Sequence, residues 1–187
     1  MTQEWMCPDA DSEGFVLFET LREENLKYNR GDFLIRFPVP ALLVVYKEHD
    51  TRGSDVVDPT DSGIQLLTMS IKSTAILRYL GKVAFVAKRP GNPFAHLISI
   101  GRSAKNDITM GVDSVSKVHG YFVAQDDGWC FTDHGSTNGS YINGEALESG
   151  GKYPLKDGDI LQLGLEASLE FLEPASLHKK IQRLPGP

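Results

Sequence analysis

The sequence predicts an all-β sandwich or barrel carrying a mixed α/β extension at its N-terminus. Three observations lead there. From about residue 83 onward, short alternating apolar and polar segments follow one another at close intervals. The gaps between them hold tight-turn dipeptides: Pro90-Gly91, Asp127-Gly128, Asn138-Gly139, Asn143-Gly144, Gly150-Gly151 and Asp157-Gly158. The part of the chain before residue 80 lacks this rhythm and mixes helical with extended spacing.

Taken in order, Phe15, Phe18, Leu21 and Leu26 recur at helical spacing over 15–28, and Asn29-Arg30-Gly31 supplies a stop. Segments 33–46 and 64–71 are rich in aliphatic and β-branched residues and read as strands. Pro38 and Pro40 place the first at a sheet edge, because proline cannot donate to a ladder. The polar stretch from His49 to Gly63 reads as a loop, and 74–80 as a short helix. Strands are then expected at 82–88, 96–101, 107–110, 120–125, 129–133, 140–143, 160–163 and 167–172. After Pro174, Leu177, Ile181 and Leu184 mark one face of a short basic helix. The division that follows is 1–80 as an extension or small accessory module, 81–174 as the sandwich, and 175–187 as a helical tail.

Composition narrows the function. With 25 acidic residues against 19 Lys and Arg, the net charge is −6, which argues against a surface that grips nucleic acid throughout. Cys7 and Cys130 are far apart and lack metal-ligand spacing, so neither a disulfide framework nor a zinc site is expected. The start Met1-Thr2-Gln3-Glu4-Trp5 lacks the basic and apolar parts of a secretion signal. The run 33–46 is interrupted by Arg36 and two prolines and falls short of the about 20 residues that span a bilayer. A reducing compartment is expected, the cytoplasm first, with the nucleus also open.

The chemistry concentrates in loops. Gly135 to Gly144, Gly101-Arg102 and Ser116-Lys117-Val118-His119 gather one arginine, several hydroxyls and an amide side chain between glycine-closed turns. Such an inventory suits holding an anion. Lys117 and Thr137 are separated by two strands joined at the Asp127-Gly128 hairpin, so their loops return to one end of the fold. Strand parity leaves the position of Arg102 open, because the segment 107–110 is short enough to cross between sheets.

The chain from about Val83 to Glu173 resembles a forkhead-associated (FHA) domain. The matching pieces are Gly101-Arg102, Asn106-Asp107-Ile108, Ser116-Lys117-Val118-His119, Ser136-Thr137-Asn138-Gly139 and Leu155-Lys156-Asp157-Gly158-Asp159, in family order. The resemblance implies an eleven-stranded FHA-type β-sandwich that binds phosphothreonine peptides downstream of a Ser/Thr kinase. It assigns phosphate contacts to Arg102, Ser116, Thr137 and Lys117, and the peptide backbone to Asn138. It gives His119 a bracing role, and Gly101, Gly139, Asn143 and Gly144 the backbone geometry of the loops. Lys117 stands where many members carry arginine, and Ser140 where threonine is common.

Elementary chemistry agrees with several of these roles. A threonine phosphate carries about 1.5 to 2 negative charges and three acceptor oxygens, and a guanidinium fork fits it better than an ammonium does. Arg102 is therefore the expected anchor. Ser116 either donates its hydroxyl to the phosphate or caps the turn before the following strand. Asn138 either holds the peptide or stabilises its own loop. From Gly101 to Glu145 three basic residues face six acidic ones, so affinity must come from aimed donors rather than a basic field.

The expected function is thus non-catalytic phosphothreonine recognition, with no cofactor and no metal, and neither nucleic acid nor membrane as partner. A scaffold that binds partners without phosphorylation is the alternative on the same fold. An enzyme would need a nucleophile with its base, a metal cluster or a phosphate-cradling loop, none of which the sequence displays. Thr51 and Thr60, in the acidic polar stretch, are candidates for phosphorylation and for self-association through the same site.

Overall fold

The computed structural model describes residues 10–47, 56–57, 74–92, 94 and 96–183. Cys7, Thr51, Thr60, Leu184 and the segment 64–71 expected as a strand lie outside the described residues.

Two sheets face each other. The larger has the order β1 (Phe15–Leu17), β4 (Lys82–Phe85), β2 (Ala41–Lys47), β13 (Ala167–Leu172), β12 (Ile160–Leu163), β9 (Ser140–Ile142) and β10 (Glu145–Ala146), with β3 (Val56–Val57) paired to the end of β2. The smaller has the order β11 (Tyr153–Leu155), β8 (Gly128–Asp133), β7 (Gly120–Gln125), β5 (Ile98–Gly101) and β6 (Ile108–Thr109). Short strands β10 and β11 were not among those expected from the sequence. The 15–28 window begins as strand β1 and continues as helix α1 (Phe18–Asn25).

Strand β2 is interior, not an edge. It lies between β4 and β13, with Leu42 opposite Ala84 on one side and Phe171 on the other. Pro38 and Pro40 precede the strand, so they remove no donor from its ladder. Pro40 instead accepts from Val86 N through its carbonyl, at 2.8 Å. The unbroken run Ala41-Leu42-Leu43-Val44-Val45 follows from burial on both faces. Leu42 and Val44 point into the sandwich with Phe122, Phe131 and Phe171, whereas Ala41, Leu43 and Val45 meet a layer of helices.

That outer layer consists of α1, α2 (Arg30–Arg36) and α4 (Pro174–Arg183); a further short helix, α3 (Thr74–Leu77), precedes β4. The sequence pattern of 33–46 favoured a strand, but its first residues finish α2. The reason is local: Asn29 Oδ1 accepts from Asp32 N at 3.0 Å and caps the helix. Phe33 is then buried against Phe37 and His178, with ring centroids 4.8 and 5.0 Å away. Leu177 and Ile181 close the cluster from α4, whose first residue is proline, a favourable helix start.

The sheet therefore takes in chain from both sides of the division read near residue 80. A strand buried on both faces cannot leave without opening a slot between β4 and β13. No described helix is long and apolar enough to cross a membrane.

Two outcomes are expected. Phe33→Ala should lower stability by about 3 to 5 kcal/mol, the usual cost of emptying a buried phenylalanine site, and urea unfolding should remain one transition by tryptophan fluorescence and circular dichroism. A chain lacking residues 1–80 should show no cooperative transition in the same measurement; a sharp one would mean that β2 is dispensable.

The candidate anion-binding loops

Three loops share one end of the smaller sheet because of its pairing. Ile100 lies opposite Gly120, and Gly120 opposite Asp133, so the end of β5, the start of β7 and the end of β8 stand side by side. Strand β6 runs parallel to β5, with Gly101 beside Thr109. The loops at 102–107 and 110–119 consequently emerge at the same end as the loop at 134–139. This placement, which parity had left open, brings Arg102 beside Ser116: Arg102 N donates to Ser116 O at 2.8 Å.

The approach is close because Gly101 has no side chain. A Cβ there would sit 2.6 Å from Lys117 O and 2.9 Å from both Ser116 O and His119 N, which backbone atoms cannot yield cheaply. Asn106 adds a second tie, its Nδ2 donating to Ser103 O and Lys117 O, each at 2.7 Å. Asp107 anchors the same turn: its buried carboxylate accepts from Ser99 N at 2.8 Å, Asn92 Nδ2 at 2.9 Å and Arg89 N at 2.9 Å.

Ser116 and Thr137 meet across the two loops. Thr137 N donates to Ser116 Oγ at 2.9 Å, and the two hydroxyl oxygens are 3.3 Å apart. Arg102 is exposed on the same face, its Nε donating to Val115 O at 3.2 Å and its Nη1 lying 3.8 Å from the exposed Asp113 carboxylate. Such a loose surface pair contributes little and leaves the guanidinium open to a stronger anion. Lys117 is also exposed. Asn138 Nδ2 donates to Ser114 O at 2.9 Å, which ties the two loops together.

Beneath this surface His119 is fully buried. Its Nδ1 accepts from Ser116 N at 3.1 Å, so in the neutral ring the proton sits on Nε2 and points to Gly139 O at 3.2 Å and Ser140 Oγ at 3.1 Å. Ser140 Oγ in turn donates to Asp133 Oδ2 at 2.5 Å, and Ser136 Oγ to the same oxygen at 2.6 Å. The imidazole thus has no lone pair directed at a serine hydroxyl. Burial lowers the His119 pKa below its ordinary 6.5, against the opposing pull of Asp133. Burial of Asp133 works to raise its own pKa, yet hydrogen bonds from Ser136 and Ser140 outweigh it and hold the group below 3.8.

Asn143 and Gly144 lie farther out, at the β9–β10 hairpin, both with positive φ (52° and 88°) as a two-residue primed turn requires. Asn143 accepts from Ile160 N at 2.9 Å and donates to Asp159 Oδ1 at 2.8 Å, joining the turn to the Asp157-Gly158-Asp159 loop. Gly139, with φ 74°, accepts from Gly164 N at 2.9 Å. Asp133, Ser140, Ser114 and Asn106 carry much of this framework yet were not among the expected site residues. One signal was present for Asp133: an aspartate three residues before Ser136 is a turn-capping arrangement, and Ser136 N does donate to it at 2.9 Å.

The depressed His119 pKa sets a pH dependence. The unfolded chain takes up a proton near 6.5 while the folded ring resists it, so the stabilisation is complete above that value and declines as pH falls toward the folded pKa. Melting temperature should therefore drop between pH 7 and 5 in the wild type and change less in His119→Asn, as read by thermal scans across that range.

The chain is similar to known proteins in sequence and in structure. The sequence profile of the FHA domain matches residues 98–164. The "Oxoglutarate dehydrogenase inhibitor" of Corynebacterium diphtheriae is 31% identical over 121 residues, covering 65% of this chain and 72% of that protein. Among solved structures, the MEK1 FHA domain in complex with a HOP1 phosphothreonine peptide aligns with a TM-score of 0.40 at 26% identity, covering 49% of this chain and 87% of that one. Mycobacterium tuberculosis EmbR, in complex with a low affinity phosphopeptide, aligns with a TM-score of 0.42 at 18% identity over 72% and 24% of the two chains. From the profile match and the curated relative, the chain belongs to the FHA domain family.

Proposed function

We propose that this chain is a non-catalytic module that captures phosphothreonine-containing segments of partner proteins and acts downstream of a Ser/Thr kinase in a reducing compartment, the cytoplasm first. The observation that carries this reading is the convergence of Arg102, Ser116 and Thr137 at one end of the smaller sheet, with Thr137 N donating to Ser116 Oγ at 2.9 Å.

The phosphate enters beside Arg102 and displaces the Asp113 carboxylate, which sits 3.8 Å away in a weak exposed pair. A dianion with three acceptor oxygens outcompetes one carboxylate for a planar fork. The hydroxyls of Ser116 and Thr137, bonded to each other without ligand, turn outward to it. Lys117 adds attraction rather than a bidentate contact. Asn138 spans toward the peptide backbone from a position already fixed by Ser114. Each hydrogen bond to a charged group contributes about 1.5 to 3 kcal/mol, and ordering a flexible peptide takes back a few kcal/mol. Micromolar affinity, about −8 kcal/mol, is the balance.

One observation favours a second reading. The curated relative is named as an inhibitor of an enzyme, so this chain too would regulate a partner by binding it, as a scaffold that does not need the phosphate. Phosphatase treatment of a captured partner separates the two: release supports the phosphothreonine reading, and retention supports the scaffold. Phosphorylation of Thr51 or Thr60 would supply an internal ligand for the same loops; a phosphorylated chain with unchanged peptide affinity and unchanged mass in solution would remove that idea.

Arg102→Ala should abolish binding of a phosphothreonine peptide chosen from an oriented library, with circular dichroism and melting unchanged; calorimetric titration giving the wild-type affinity would refute the reading. Matched phosphoserine peptides should bind several-fold more weakly, since one buried methyl is worth about 0.8 kcal/mol. Equal affinity would mean that no site for the methyl exists.

A further inference from the structure

We infer that Tyr79, together with Arg78 and Glu13, positions the loop that carries Ser116, and so makes chain lying outside the FHA-matched residues a determinant of affinity at the anion site. This rests on the phosphopeptide reading for its ligand but not for its geometry.

Tyr79 is the residue where the N-terminal part of the chain touches the base of that loop. Its ring is fully buried beside Phe15, with centroids 5.1 Å apart. Its hydroxyl accepts from Gly111 N at 2.7 Å and from Arg78 Nη2 at 2.7 Å. The Arg78 guanidinium donates onward to Glu13 Oε1 at 3.0 Å. Glu13 also holds the strand leading into the loop, its carbonyl accepting from Thr109 N at 3.0 Å. Three residues from the extension therefore grip the backbone at Thr109 and Gly111.

The grip is transmitted because the loop is stiff beyond it. Met110, Val112 and Val115 are all fully buried in the sandwich core, and Val115 N donates to Val112 O at 3.0 Å, closing a turn just before Ser116. Met110 N donates to Gly101 O at 2.9 Å, so the same segment fixes the strand end that precedes Arg102. A displacement at Gly111 passes through packed side chains to both Ser116 and Arg102. Gly111 lies close under this pair: a Cβ there would meet the Arg78 guanidinium, the flexible end of a half-exposed side chain. Tyr79 touches no ligand in this scheme; it is a positioning residue.

The test uses the full chain, and compares wild type, Tyr79→Phe, Arg78→Met and a control, Phe33→Leu, which loosens the remote helical layer. Affinity is measured by calorimetry for the best phosphothreonine peptide from the library, and ligand-free backbone amide shifts of Ser116 and Thr137 are recorded by NMR. Tyr79→Phe deprives Gly111 N of its acceptor and should weaken binding about fivefold, the effect of one ordinary hydrogen bond, with the Ser116 amide signal displaced. Arg78→Met should shift both readouts the same way, and it carries the test if Tyr79→Phe does not fold. Phe33→Leu should leave affinity and both amides unchanged. Wild-type affinity in Tyr79→Phe, or a loss that Phe33→Leu matches, overturns the inference. If the wild type binds no phosphopeptide, the functional reading fails instead, and the ligand-free amides alone decide the positioning role: displaced signals uphold it and unmoved signals sink it.

Discussion

The site depends on one uncharged ring. His119 bridges two loops from inside, accepting from the Ser116 amide on one nitrogen and donating to the Gly139 carbonyl from the other. Those two loops carry the hydroxyls that meet above it. A protonated imidazole would lose the first bond, because Nδ1 could no longer accept, and would place a charge in a fully buried position. Burial keeps the ring neutral, and neutrality keeps the loops in register. Asp133 sits behind it as a hub, collecting Ser136 and Ser140 so that neither hydroxyl is left without a partner.

Above this buried framework the electrostatics are sparse. The chain is acidic overall, and Arg102 already has Asp113 nearby. The loops offer geometry instead: Gly101, Asn106 and His119 hold the segments that carry Arg102, Ser116 and Thr137 side by side. Preorganised donors lose less freedom on binding than mobile ones, which is why the scaffold beneath the loops matters as much as the groups that face solvent.

The N-terminal part of the chain enters this framework twice. Strand β2 supplies the middle of the larger sheet and carries apolar side chains on both faces, one for the sandwich and one for the helices. Tyr79 reaches from just before β4 to the loop base. Neither feature is decoration on a self-sufficient sandwich, since one fills the sheet and the other completes the hydrogen bonding of Gly111.

The sequence by itself determined what is encoded locally. The Asn143-Gly144 dipeptide set its hairpin through the backbone preferences of two residues, whereas the β7–β8 turn is Asp126-Asp127, one residue before the Asp127-Gly128 pair read from the sequence; strands β7, β8, β12 and β13 were legible as short apolar segments between turns. The loop inventory of Arg102, Ser116 and Thr137 was legible for the same reason: residue type and order survive without coordinates. The interior place of β2 was not read from the sequence: two prolines upstream pointed to an edge, and only the pairing with β4 and β13 showed the strand to be central. Tertiary structure decided what depends on distant partners. The parallel pairing of β6 with β5 brought Arg102 to Ser116, Asn29 capping and the packing of Phe33 against α4 turned the start of an expected strand into helix, and Tyr79 gained its role from Gly111, remote in the chain. Local propensity acts over a few residues, whereas these choices are set by which surfaces the folded chain brings together and by the hydrogen bonds that burial then makes obligatory.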